Sequence, residues 1–413
     1  MKITLLTYGS QGDVEPFAAL AGGLVKAGLQ VRLAAPQYFE SLIDTDKIDF
    51  VGFPGDPHQL VQDLVDQAGN KWWRMVTSMA EFVLPLAVEV SQKSRAACAD
   101  SDLILHSFLL TNIGYEIARE LDIPDISAQT FPVFTSTSYF PAPVTPDLPL
   151  GGFYRRLTHG FVTQTFWQGS RLIYHWVRKK NPDLPPLTKW PFDPKNERQT
   201  PILYAFSPSV VHRPGDWPDH VHITGYWTPA EPGKWNPDQK LVEFINAGPP
   251  PITIAFGSTA SRKMEGIYNK ILEALTLANQ RGIIVGENYN LETSSCMYRQ
   301  TDYIPYDWLF KQSAAVIHHG GAGTTGKALK AGIPSIILPF TSDQPFWGRR
   351  VYKLGAGPKP IPSRKVTPAK LTQAIVTAIY DQGMRYRAKM IGNSIQGEDG
   401  VARAVNIIQS LLR

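Results

Sequence analysis

The residue types best suited to chemistry lie in His318-His319-Gly320-Gly321-Ala322-Gly323-Thr324-Thr325, between an apolar run (Ala314 to Ile317) and a helix-forming one (Gly326 to Ala331). This reads as strand, glycine-rich turn, helix. The first N–H groups of such a helix have no intrahelical acceptor, and the dipole adds positive potential, so the turn fits a phosphate. Glycines admit close approach, and two hydroxyls and two imidazoles add donors. After a short strand (Ser335 to Leu338) comes Asp343-Gln344. A carboxylate beside a carboxamide offers the acceptors and donors that vicinal sugar hydroxyls need.

A second reactive cluster is Gly9-Ser10-Gln11-Gly12-Asp13-Val14-Glu15-Pro16, behind the apolar segment Ile3 to Thr7. Asp13 has two readings. It caps the helix expected over Pro16 to Ala27, with Pro16 then its third residue, or it is a general base at the floor of a site. His106, at the end of another short apolar strand, is either a satisfied structural group or an acceptor-site residue.

The elements that must hold these residues alternate strand and helix in both halves of the chain, which predicts α/β, doubly wound domains with ligands beyond the carboxyl ends of the strands. Gly9 and Gly12 lead to Pro16 and not to a third glycine, so a nicotinamide or flavin site is disfavoured. Apolar residues recur at helical spacing from Val51 to Arg95, including Trp72 and Met79, and again from Phe153 to Val177. The aromatic excess of that second segment and of Thr130 to Pro141 fits either an apolar acceptor pocket or ordinary core. The expected division is residues 1–211 for the first domain, a Pro- and Trp-rich linker at 212–237, a second domain at 238–395, and a last helix at 396–413 packing back on the first.

With 413 residues, 43% hydrophobic and 19% charged, the chain has the size and composition of two globular domains. Two cysteines, Cys98 and Cys296, do not make a disulfide framework, and the N-terminus enters a strand at once, so a cytoplasmic location is expected. No apolar run approaches the ~20 residues of a membrane span. The net charge of +5 either keeps the protein soluble or allows peripheral contact with an anionic membrane surface. No nucleic-acid motif, CxxC pair or HExxH is found.

The histidine-glycine turn, Asp343-Gln344 with Phe346-Trp347-Gly348, and the Gly9 to Pro16 loop together resemble the two-domain, family 1 nucleotide-sugar glycosyltransferases that include the sterol 3-beta-glucosyltransferases. The resemblance covers nearly the whole chain. It implies a GT-B fold of two Rossmann-like domains facing a cleft, acceptor in the first and donor in the second. It implies an inverting hexosyltransferase taking glucose from UDP-glucose to a hydroxyl of a sterol or another hydrophobic acceptor, with Asp13 as base, no metal and no cofactor. The donor-binding residues would be Ser258, Tyr303, His319, Gly321, Ala322, Gly323, Thr324, Asp343 and Gln344. His319 is preferred over His318 because the phosphate-binding histidine of the related plant signature lies 24 residues before the acidic one, here Asp343. Acceptor-side residues would be Ser10, His106, Phe131, Tyr139 and Trp347. Two departures bear on ribose and donor contacts: Lys327 replaces the plant glutamate, and Gly286-Glu287-Asn288-Tyr289 replaces a tryptophan-containing turn. A nucleotide-sugar epimerase or a catalytically silent nucleotide-sugar-binding partner would share the fold.

Overall fold

In the computed structural model, which describes residues 1–56, 84–182, 184, 186–187, 189–229, 235–257, 265–286, 296–300 and 303–412, the chain forms two parallel-sheet units. The first contains β1 (Lys2–Leu6), α1 (Gln11–Lys26), β2 (Gln30–Pro36), β3 (Asp49–Phe53), α2 (Leu84–Cys98), β4 (Leu103–His106), α3 (Thr111–Glu120), β5 (Asp125–Gln129), α4 (Gly151–Lys180), β6 (Ile202–Tyr204) and β7 (Val221–Ile223). The second contains α5 (Gln239–Asn246), β8 (Ile252–Ala255), α6 (Glu265–Leu277), β9 (Gly282–Val285), β10 (Met297–Gln300), α7 (Tyr306–Leu309), β11 (Ala315–His318), α8 (Ala322–Lys330), β12 (Ser335–Ile337), α9 (Gln344–Lys353), α10 (Pro368–Tyr380) and α11 (Gln382–Gln396). The last helix, α12 (Gly400–Leu411), groups with the first unit.

The central strands β1, β4, β8 and β11 are short apolar runs buried on both faces, as parallel sheets covered by helices require. The first sheet runs β3-β2-β1-β4-β5-β6-β7 and the second β10-β9-β8-β11-β12. Strand order reverses between β1 and β4, and between β8 and β11, which places the ligand-binding crevice of each unit beyond the carboxyl ends of those strands. The first core joins Ile3, Leu5, Phe17, Leu20 and Leu24 to Ala404, Val405 and Ile408 of α12. α12 sits so close to α1 that a Cβ on Gly23 would lie 2.3 Å from Val401 Cγ1.

Several expectations are corrected. α1 begins at Gln11 and runs through Pro16, because Ser10 opens the helix and the burial of Val14, Phe17 and Leu20 outweighs the lost hydrogen bond. The predicted linker holds a strand of the first sheet, β7, paired with β6. Phe206–His212 group with the second unit, where Phe206 packs edge-on against Trp347 and Arg350 donates to the Val210 carbonyl. Val51 to Phe53 are strand, not helix, while Trp72 and Met79 lie outside the described residues. The aromatic helix α4 is divided: Trp167 and Tyr174 are buried with Leu187, whereas Phe153 and Phe161 face outward.

Candidate active site

In the first unit, Asp13 is the third residue of α1 and not its cap. Its Oδ2 accepts from the Ser10 backbone N–H at 2.8 Å and from the Ser10 hydroxyl at 3.0 Å, and Thr7 Oγ1 donates to the Asp13 carbonyl at 3.1 Å. Gly9 makes room for this: its φ is 145°, and a Cβ there would stand 2.4 Å from Asp13 Oδ2. Desolvation pushes the Asp13 carboxyl above the ordinary carboxylate range, against the two Ser10 bonds, which pull it down. A fixed carboxylate of raised basicity at the end of β1 suits proton abstraction.

In the second unit, the glycine turn joins β11 to α8 as expected. The first helical bond, from Thr325 N–H to the Gly321 carbonyl, leaves the amides of Ala322, Gly323 and Thr324 ahead of it. The His319 ring lies over the turn, so that a Cβ on Gly321 would be 2.4 Å from His319 Nε2. Burial pushes His319 down to about 4 and His318 to about 3, so both are neutral at physiological pH. His318 is wholly buried and its Nδ1 accepts from Gly320 N–H at 3.1 Å, which makes it structural and leaves His319 at the turn. The buried Nδ1 of His319 has no partner among the described groups.

The sugar-type pair follows β12, the neighbour of β11. Ser342 takes a φ of 58°, rare for serine, and turns the chain so that Asp343 opens α9. Gly320, with φ 92°, lets α9 come close: a Cβ there would be 3.1 Å from the Gln344 carbonyl oxygen. The turn and the Asp343-Gln344 pair are therefore adjacent. Gln344 Oε1 accepts from the amides of Phe340 (2.8 Å) and Thr341 (3.3 Å), which orients the side chain. Trp347 Nε1 donates to Asp343 Oδ2 at 2.7 Å from a side chain that is 0% exposed.

That burial corrects one expectation. Trp347 offers no surface to an acceptor and instead fixes Asp343, through an i,i+4 contact that the sequence spacing could have shown. His106 is likewise fully buried, under α3, with Nε2 3.1 Å from Asp125 Oδ2, which also accepts from Thr200. It is a core pair. Phe131 packs at a tilt against Phe108, with ring centroids 5.2 Å apart, and Tyr139 is exposed. Tyr303 is 65% exposed and its carbonyl accepts from Trp235 Nε1 at 3.1 Å. Lys327 Nζ stands over the Tyr306 ring at 5.9 Å. Ser258 and residues 287–289 lie outside the described residues. Among the described residues no three His, Cys, Asp or Glu side chains converge to hold a metal ion, and no helix is long and apolar enough to cross a membrane.

Residues 3–137 match the glycosyltransferase family 28 N-terminal domain, and residues 285–408 match the erythromycin biosynthesis protein CIII-like C-terminal domain. The chain is 32% identical over 421 residues to the O-mycaminosyltylonolide 6-deoxyallosyltransferase of Streptomyces fradiae, covering 99% of this chain and 97% of that protein. It is 35% identical over 423 residues to a sterol 3-beta-glucosyltransferase of Emericella nidulans, covering 99% of this chain and 30% of the relative. A sterol 3-beta-glucosyltransferase of Arabidopsis thaliana is 34% identical over 98% of this chain and 64% of its own length. The chain thus spans less than two thirds of these sterol enzymes. Solved structures of the kitacinnamycin glycotransferase (TM-score 0.73, 19% identity, 100% of this chain and 99% of that one) and of the spinosyn forosaminyltransferase SpnP (TM-score 0.70, 17% identity, 100% and 99%) share the fold. On sequence, fold and the two domain matches, the chain is a transferase enzyme and belongs to the GT-B glycosyltransferases.

Proposed function

We propose that the enzyme moves glucose from UDP-glucose to a hydroxyl of a sterol or similar hydrophobic alcohol, in the cytoplasm, with inversion and without a metal ion. The observation that carries this reading is the adjacency, across Gly320, of a neutral imidazole at a helix-opening turn and the Asp343-Gln344 pair. One half suits a diphosphate and the other a hexose.

Asp13 takes the proton of the acceptor hydroxyl as its oxygen attacks the anomeric carbon. The bond from that carbon to the UDP oxygen breaks on the opposite face, so an α-linked donor yields a β-linked product. Charge on the departing diphosphate is met by the amides of residues 322–324, the Thr324 hydroxyl and a His319 N–H. Asp343 and Gln344 hold sugar hydroxyls. Ser258 and Tyr303 are assigned to the donor, and Ser10, Phe131 and Tyr139 to the acceptor, on the resemblance alone.

Sterol as acceptor rests on the sterol 3-beta-glucosyltransferase relatives. The Streptomyces fradiae relative supports a second reading, transfer of a deoxyhexose, because this chain covers almost all of it. Epimerase and silent-partner readings are disfavoured, since the similar chains named above are transferases. The test is mass spectrometry of sterols, other lipophilic alcohols and O-mycaminosyltylonolide incubated with UDP-glucose and EDTA. A hexose added to sterol in the presence of EDTA is expected. Transfer only from a deoxysugar nucleotide would favour the second reading, and dependence on a divalent ion would refute the metal-free step.

A further inference from the structure

Helix α4 has a surface that the glycosyl-transfer chemistry does not use. Phe153, Leu157 and Phe161 recur every fourth residue on one exposed stripe and are 78%, 55% and 69% accessible. Further along the same stripe, at helical spacing, stand the exposed cations Arg171 and Lys179, while Lys180, also exposed, closes the helix about 100° round from Lys179. From Phe153 to Lys179 the stripe is roughly 39 Å long at ~1.5 Å per residue. Across its 30 residues the helix contains no Asp or Glu.

Isolated exposed apolar residues need no explanation, but three large ones in one row on a helix without acidic residues form a pattern. Arg155 and Arg156 do not contribute free charge, since they face Asp147 at 3.9 Å and Asp216 at 3.1 Å. Arg171, Lys179 and Lys180 have no carboxylate partner among the described residues. Phe and Leu over the first turns and, over the last, cations that rest against Gln168, Trp167 and Trp176 but no carboxylate are the two contributions that hold a helix flat in a lipid headgroup region.

We propose that the exposed stripe of α4 docks on an anionic lipid surface, the Phe153–Leu157–Phe161 end entering the headgroup boundary and the Arg171–Lys179–Lys180 end resting on lipid phosphates. Anionic lipid fits better than a second copy of the chain, because the helix contains no carboxylate to offer the cations of another copy. The surface is independent of which acceptor the enzyme uses.

The test is co-sedimentation of the full chain with phosphatidylcholine vesicles, with and without phosphatidylserine, in the absence of donor and acceptor. Binding is expected to the phosphatidylserine vesicles, weakening with salt. The triple variant Phe153→Ser/Leu157→Ser/Phe161→Ser should lower the partition coefficient roughly tenfold or more, from the apolar area withdrawn from insertion. The triple variant Arg171→Gln/Lys179→Gln/Lys180→Gln should lower it on phosphatidylserine vesicles alone, by about fivefold per charge. Circular dichroism melting checks that both variants stay folded. Absence of vesicle binding, equal binding to neutral and anionic vesicles, or unchanged binding by either variant would overturn the proposal. So would a concentration-dependent dimer, without vesicle binding, that the serine variant dissolves.

Discussion

Replacing Trp347 by Phe removes a hydrogen bond, from a fully buried indole N–H to Asp343 Oδ2 at 2.7 Å. A hydrogen bond to a charged group contributes about 1.5–3 kcal/mol. Because Asp343 keeps partial access to solvent, the lower end applies, which is roughly a tenfold effect. The smaller ring also loosens the contact with Phe206 and Phe346, costing stability on the order of 1–2 kcal/mol. In steady-state kinetics with the UDP-sugar, kcat/KM should fall about tenfold, the size of that bond. Inhibition by UDP alone, which carries no sugar for Asp343 to hold, should stay as in the wild type. An unchanged kcat/KM in a folded Trp347→Phe protein would refute the assigned role. An equal loss of UDP affinity would show that the residue supports the nucleotide site as a whole.

Two further outcomes follow from the turn. Gly321→Ala places a Cβ within 2.4 Å of His319 Nε2, so the ring must move; UDP affinity measured by calorimetry should fall roughly tenfold or more, and unchanged affinity would remove His319 from the diphosphate site. His318 and His319 are held neutral, with pKa values pushed down to about 3 and about 4. Below the ordinary histidine value of ~6.5 the unfolded chain takes up protons that the folded one refuses, so stability declines from about pH 6.5 towards pH 4, at about 1.4 kcal/mol per pH unit for each such histidine. Urea midpoints between pH 7 and 4.5 should show a shallower decline in His319→Gln, and identical slopes would contradict its neutral burial.

Much of this fold was legible because the central strands, β1, β4, β8 and β11, are short apolar runs ending in glycine or a polar turn, with the opening residues of a helix behind them. The donor turn and Asp343-Gln344 were readable because they are contiguous in sequence. What was not readable depends on neighbours far along the chain. His106 looked available until Asp125, on the adjacent parallel strand, proved to be its partner. Trp347 looked like an acceptor contact because its type attracts ligands, yet the helix that begins at Asp343 turns it inward. α1 is opened by Ser10 and not by Pro16: a serine followed three residues on by an acid is an N-terminal signal, and the apolar face behind it decides the outcome. The linker hid β7 because three residues among prolines give no periodicity.

Asp13, at the head of α1, is the group proposed to take the acceptor proton. Its direct test is product formation by wild type and Asp13→Asn under identical donor and acceptor concentrations, with UDP affinity measured in parallel. The substitution is close in size and leaves the Ser10 contacts an oxygen to meet. A base role for Asp13 predicts a loss of about 10²–10⁴ in kcat with UDP affinity unchanged. It also predicts a wild-type acid limb in kcat/KM lying above the ordinary carboxylate value of ~3.9. Turnover by Asp13→Asn within a few-fold of wild type would contradict it.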